Sequence, residues 1–313
     1  MRQESPESLQ QLVAPIALYP DALVAQILAA STYPTEIVEA DRWMQQHPSL
    51  EKQALAQAVN QQSWDPSVKA LTQFPSVLAN MDKNLSWASA LGDAYVNDQQ
   101  SVLDAVQTMR RRAQQAGNLK ATSQESVSTQ GQTIAIQPAN PEMVYVPTYD
   151  PWLVYGPPLV AYPGWYAYPG LYAVGPGVSF GLGFGVGFFA GFGWGWHHWG
   201  ADWGHRTVLY NRNVYASHSR TFIDRNHFYR GGPGFRGGRP DAVPRFHASP
   251  EPHLGAGTRS GAFSGFDHGG VARSFSARGQ SSFGGGSHGF AGGGFHGGGS
   301  HGGGGSHGGG GHR

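Results

Sequence analysis

From residue 20 onward, apolar positions recur three and four apart, the period of one face of an α-helix. Pro20 and Asp21 open a first helix, since proline is tolerated and an acid favoured in the first turn; Leu23, Val24, Ile27 and Leu28 form its stripe. Pro34 opens a second, with Ile37, Val38 and Met44 inward and Glu36, Glu39 and Asp41 near its start. Ser49 caps a third that carries Leu50, Ala54, Leu55 and Val59. Asp65 followed by Pro66 reads as an N-cap with proline in the first helical position, and Pro75 must interrupt or restart that helix. A further helix over 85–96 holds Gly92 inside it. Over 98–116, Val102, Leu103, Val106 and Met109 repeat at helical spacing, Arg110 to Arg112 suit the negative end of the helix dipole, and Gly117 stops the run.

Between 124 and 149 the period changes from 3.6 to 2. Segments 126–129, 133–137 and 143–146 read as short strands, with Gly131-Gln132 as a tight turn and 138–141 as a connection, giving a small antiparallel meander. The expected fold is mainly α. A compact multi-helix module spans 7–118 and a small antiparallel β extension spans 124–156. A Pro/Tyr/Gly-rich then glycine-aromatic segment follows over 157–205, and an Arg/His/Gly-rich, largely disordered tail over 206–313.

The stretch 178–196, VSFGLGFGVGFFAGFGWGW, carries two patterns. As a strand it places Phe180, Leu182, Phe184 and Phe188 on one face and glycines on the other. As a helix it repeats small residues every four positions through Gly183, Gly187, Gly191 and Gly195, the spacing that lets helices approach closely in lipid. A compositional reading, a loosely collapsed glycine-aromatic segment, stands beside both. Each glycine costs about 1 kcal/mol in a helix relative to alanine, so lipid or a partner must support the helical form. That lipid-packed helix is the expected geometry, with Gly183, Gly187, Gly191, Gly195, Phe184, Phe188, Trp194 and Trp196 as residues of membrane contact or self-association.

Charge sharpens the division. Residues 1–120 carry 9 Lys or Arg against 12 Asp or Glu, 121–200 carry none against 3, and 201–313 carry 12 against 5, so a total of +1 conceals a cationic end. No charged residue lies between Asp150 and Asp202, which ill suits that run to standing alone in water. All cations after residue 200 are arginine, and 13 of 14 histidines follow residue 196. With no cysteine there is no disulfide or thiolate chemistry. The opening MRQESPESLQ lacks a basic end followed by an apolar core, so no signal peptide is read there.

Four segments carry a resemblance: LVAPIALYPDALVAQILAASTYPTEIVEADRW (12–43), SWDPSVKALTQFPSVLANM (63–81), NLSWASALGDAY (84–95) and IAIQPANPEMVYVPTYDPWLVYG (134–156). Together they resemble the bacterial domain-of-unknown-function family 3300. The resemblance covers about the first half of the chain and brings no catalytic residue with it. Members usually begin with a secretion or lipoprotein signal, so it implies a protein of the cell envelope, periplasmic or membrane-associated.

Candidate chemistry is sparse. His197, His198, Asp202 and His205 have ligand-like spacing; on a helix the last three share a face, and their types suit zinc, copper or nickel. The competing reading is a polar interfacial cap with Trp199 and Trp203. His288, His296, His301, His307 and His312 are spaced by glycine and suit loose chelation. Arg230, Arg236 and Arg239 in RGGPGFRGGRP suit phosphate attraction and stacking; in an envelope protein they meet anionic lipid or polysaccharide, and nucleic acid is the reading set aside. His47 reads as a surface turn residue. No nucleophile elbow, paired zinc-binding histidines or phosphate loop occurs. The function expected is a non-enzymatic envelope scaffold or adaptor, with metal binding and nucleic-acid binding as alternatives.

Overall fold

The computed structural model describes residues 4–222 apart from Glu51. Eight helices occupy the first half: α1 (Pro6–Val13), α2 (Asp21–Ala30), α3 (Pro34–Gln46), α4 (Lys52–Asn60), α5 (Pro66–Leu71), α6 (Pro75–Lys83), α7 (Leu85–Asn97) and α8 (Gln99–Gln115). Their starts follow the sequence signals. The Ser5, Asp65 and Asp98 side chains accept from the backbone N–H of Ser8, Ser67 and Ser101, and proline stands at the start of α1, α3, α5 and α6.

All ten residues of α2 are buried, because DALVAQILAA is apolar nearly all round and no face of it suits water. It therefore becomes the axis of the module, touching α5, α7 and the later strands. At its end, α7 approaches so closely that a Cβ on Gly92 would lie 2.1 Å from the Ser31 carbonyl oxygen. Only glycine fits that crossing.

Strands β1 (Glu125–Gln130) and β2 (Thr133–Pro138) form a hairpin around Gly131, whose φ is +60°. The expected meander stops there. Strand β3 (Met143–Tyr149) pairs antiparallel with β4 (Val178–Gly185), not with β2. Met143 and Tyr145 stand opposite Gly185 and Gly183, and their side chains lie over the bare backbone of Gly183. A third sheet comprises β5 (Trp199–Asp202), β6 (Thr207–Tyr210) and β7 (Asn213–Val214) in that order.

Two expectations for the second half are corrected. The stretch 178–196 is not a helix: β4 is followed by short 3₁₀ turns at Gly187–Phe189 and Trp196–His198. Its glycines serve packing within one chain. A Cβ at Gly195 would meet the Phe189 carbonyl oxygen at 2.3 Å, and one at Gly187 would strike the Glu142 carboxylate, whereas Gly191 faces open space. Nor does the ordered chain end at 205. Strands β6 and β7 lie beyond it, Tyr215 is buried and donates to Asp65, the Ser217 hydroxyl bonds Thr32, and His218 N–H donates to Tyr33.

Arg110 joins the halves. Its guanidinium is wholly buried and donates to the carbonyls of Ala17, Tyr19 and Ile134 and to the Asp21 carboxylate, with the Trp203 ring 4.7 Å away. One side chain thus ties the α1–α2 turn, α8, β2 and the β5–β6 hairpin.

Candidate functional site

Helix α4 packs the glycine-aromatic turns against the module. Leu55, Ala56 and Val59 form a small core with Phe189 and Trp194, and the Trp194 indole N–H donates to Asn60 Oδ1 at 3.0 Å. Beside this contact the surface opens into a groove of about 930 Å³. One wall is the end of α3 and the start of α4, with Asp41, Gln45, His47 and Lys52. The other is Tyr168, Phe184 and Phe188 on the uncharged stretch, and Thr72, Gln73 and Ser76 lie between.

The groove's polar groups are incompletely paired. Gln45 donates to Asp41 Oδ2, while Oδ1 accepts no described hydrogen bond. Burial, and then the nearby charge of Asp82, raise the Asp41 carboxyl above the usual carboxylate range. Gln73 is 4% exposed; its amide donates to the Ala70 carbonyl, and its side-chain oxygen has no partner. Burial, followed by the charge of Asp41, raises the Tyr168 phenol. The His47 ring stacks on Trp43 with centroids 4.3 Å apart. Lys52 sits 5.6 Å from the centre of the Phe188 ring.

Of the residues expected to hold a metal, the hairpin brings Asp202 and His205 together and pairs His198 elsewhere. Asp202 ends β5, and its carboxylate accepts from the backbone N–H of His205 at 3.0 Å and meets the His205 ring at 2.7 Å. Those two bonds hold the Asp202 pKa low. Their common role is to close the β5–β6 turn, in which Arg206 takes a φ of +54°. His198 pairs instead with Asn211, and His197 is exposed. Among the described residues no three His, Cys, Asp or Glu side chains are grouped to hold a metal. Of the residues expected at a membrane or self-association surface, Gly183, Phe184 and Phe188 reach the groove, Gly195, Trp194 and Trp196 are buried, Gly187 packs at Glu142, and Gly191 alone faces open space. Arg230, Arg236 and Arg239 and the glycine-spaced histidines from His288 to His312 lie outside the described residues. No described helix is long and apolar enough to cross a membrane.

The family described as Protein of unknown function (DUF3300) matches residues 5–230, well over half the chain. The chain belongs to that family. It is also similar to the uncharacterized protein YacH of Escherichia coli (strain K12), 39% identical over 184 residues, which cover 49% of this chain and 30% of that protein. The chain thus spans less than a third of that relative's length. No solved structure matches. The DUF3300 match runs past both walls of the groove and the β5–β7 sheet, so the family unit includes the glycine-aromatic stretch.

Sequence reasoning missed Asp41, Gln73 and Tyr168 as groove residues. The sequence pattern puts Asp41 near the favourable acidic start of α3, yet it lies in the eighth of that helix's thirteen residues and is 3% exposed. An acid on a buried helical face is the signal that was present. His47, expected at a surface turn, is half-buried at the end of α3 and faces the groove.

Proposed function

We propose that this chain is a non-enzymatic scaffold or adaptor of the bacterial cell envelope that works by docking, through the uncharged part of its surface, onto membrane or onto an envelope assembly. One observation carries the reading. Of the six exposed large apolar side chains among the described residues, five (Val160, Tyr166, Val174, Leu182 and Phe188) lie in the run between Asp150 and Asp202 that holds no charge. Scattered apolar residues are ordinary on a protein surface, but their confinement to one uncharged segment marks that segment as a contact region. Strand β4 adds a second attraction, because among the described residues only β3 pairs with it and an unpaired strand edge invites another strand. The envelope placement rests on the family resemblance.

Flotation of the full chain with phosphatidylethanolamine and phosphatidylglycerol vesicles, together with sedimentation in the absence of lipid, tests this. The expected result is co-flotation or concentration-dependent self-association, weakened by Leu182→Ser and Val174→Ser. A chain that remains monomeric and stays with the aqueous phase contradicts it.

A further inference from the structure

The groove between α3–α4 and the glycine-aromatic wall is a site in its own right. We propose that it binds a neutral glycan chain, with the Asp41 carboxylate and the Gln73 amide oxygen accepting hydrogen bonds from sugar hydroxyls and the Phe188 and Tyr168 rings covering the sugars' C–H faces.

The chemistry of the lining selects the ligand. Asp41 and Lys52 are the charged carboxylate and ammonium of the groove, one of each sign, so a strongly charged ligand finds no excess of counter-charge. The buried unused capacity is for accepting hydrogen bonds. Asp41 and Gln73 are both more than nine-tenths buried, on different elements, and each holds an oxygen without a described partner. Buried polar atoms are almost always paired in native proteins, so the orphaned Gln73 oxygen, in the same lining as an Asp41 carboxylate oxygen free to accept, marks a place for a donor-rich molecule. Thr72 and Gln45 have already committed donors to Lys69 O and Asp41, and the Lys52 ammonium remains to donate to sugar oxygens.

The opposite wall supplies flat apolar surface. Phe188 is 52% exposed and Tyr168 is half-buried, an unfavourable display of aromatic area unless something covers it. A sugar ring matches both walls at once, with hydroxyls round its edge and C–H groups on its face. At about 930 Å³ the groove lies near the upper end of small-ligand sites and is open, which suits several linked rings rather than one.

Isothermal titration of the full chain with the β-1,4-linked tetrasaccharides of glucose and of N-acetylglucosamine tests the assignment. The expected result is saturable binding of at least one, weakened about tenfold or more by Asp41→Asn and by Phe188→Ala. Both variants should keep the wild-type melting temperature, and Leu182→Ser, outside the groove, should bind glycan as wild type does. Absence of binding to both tetrasaccharides at millimolar concentration overturns the proposal. So does equal binding by the two groove variants, or preferential capture of a neutral extended peptide such as oligoproline. Asp41→Asn leaves the exposed apolar residues intact, so failure here and failure of vesicle docking are read separately.

Discussion

The helical module and the glycine-aromatic stretch reach burial by opposite routes. In the module large side chains fill space: Trp87, Phe74, Leu23, Ile27 and Leu28 are all but inaccessible, and helix faces do the enclosing. In the stretch the missing side chains matter most. Gly183 admits Met143 and Tyr145, Gly195 admits the turn at Phe189, and Trp194, Trp196 and Trp199 fill the space between. Low charge and many glycines describe lipid-packed helices and this chain-internal packing equally well. What separates them is which atoms a Cβ would meet.

Arg110 binds the two regions together, so its removal gives the largest expected effect. Arg110→Ala leaves the buried Asp21 carboxylate without its counter-charge, held by Ile136 N–H and Gln137 alone among the described residues, and should cost about 3–5 kcal/mol in urea unfolding, lowering both regions in one transition. Separate transitions would show the regions to be independent.

Gly195→Ala comes next. Backbone must move to relieve a 2.3 Å contact, and the loss should be about 1–3 kcal/mol, whereas Gly191→Ala, with open space around it, should stay within about 0.5 kcal/mol. Equal responses at the two sites would mean that the stretch does not pack as described.

Glu125 sharpens the comparison through pH. It is buried at the start of β1 with one carboxyl oxygen unpartnered, and desolvation, only partly opposed by Arg110, raises its pKa from 4.5 to about 8. A raised acid binds its proton more tightly in the folded state, so stability falls as pH rises from about 4.5 to about 8 and then levels off. Glu125→Gln should flatten that decline: near-neutral in melting temperature at pH 5 and stabilising at pH 8.

The smallest effect belongs to the β5–β6 turn. Asp202→Ala removes an exposed turn's acceptor and should cost under about 1 kcal/mol.

Much of the module was legible because its helices carry local punctuation. Asp65-Pro66, Pro34 and Gly117 each act within a few residues of where they stand. The partner of β3 was not legible, because β4 begins 29 residues after β3 ends and nothing local in MVYVPTY names it. Arg110 reads from the sequence as a helix-end cation, since its acceptors at Ala17, Tyr19 and Ile134 come together only in the fold. His198, Asp202 and His205 share a face only on a helix; on a hairpin the same spacing closes a turn. Asp41 and Gln73 acquire meaning from the groove, whose two walls are more than a hundred residues apart in the chain.

The central claim is that 178–199 is a folded wall of the body, and amide hydrogen exchange on the full chain without lipid tests it most directly. The account predicts that the β4 amides bonded to β3, together with the amides of the Gly195–His198 turn, exchange as slowly as those in the middle of α8. Exchange of the whole stretch within seconds, while α8 stays protected, would contradict it.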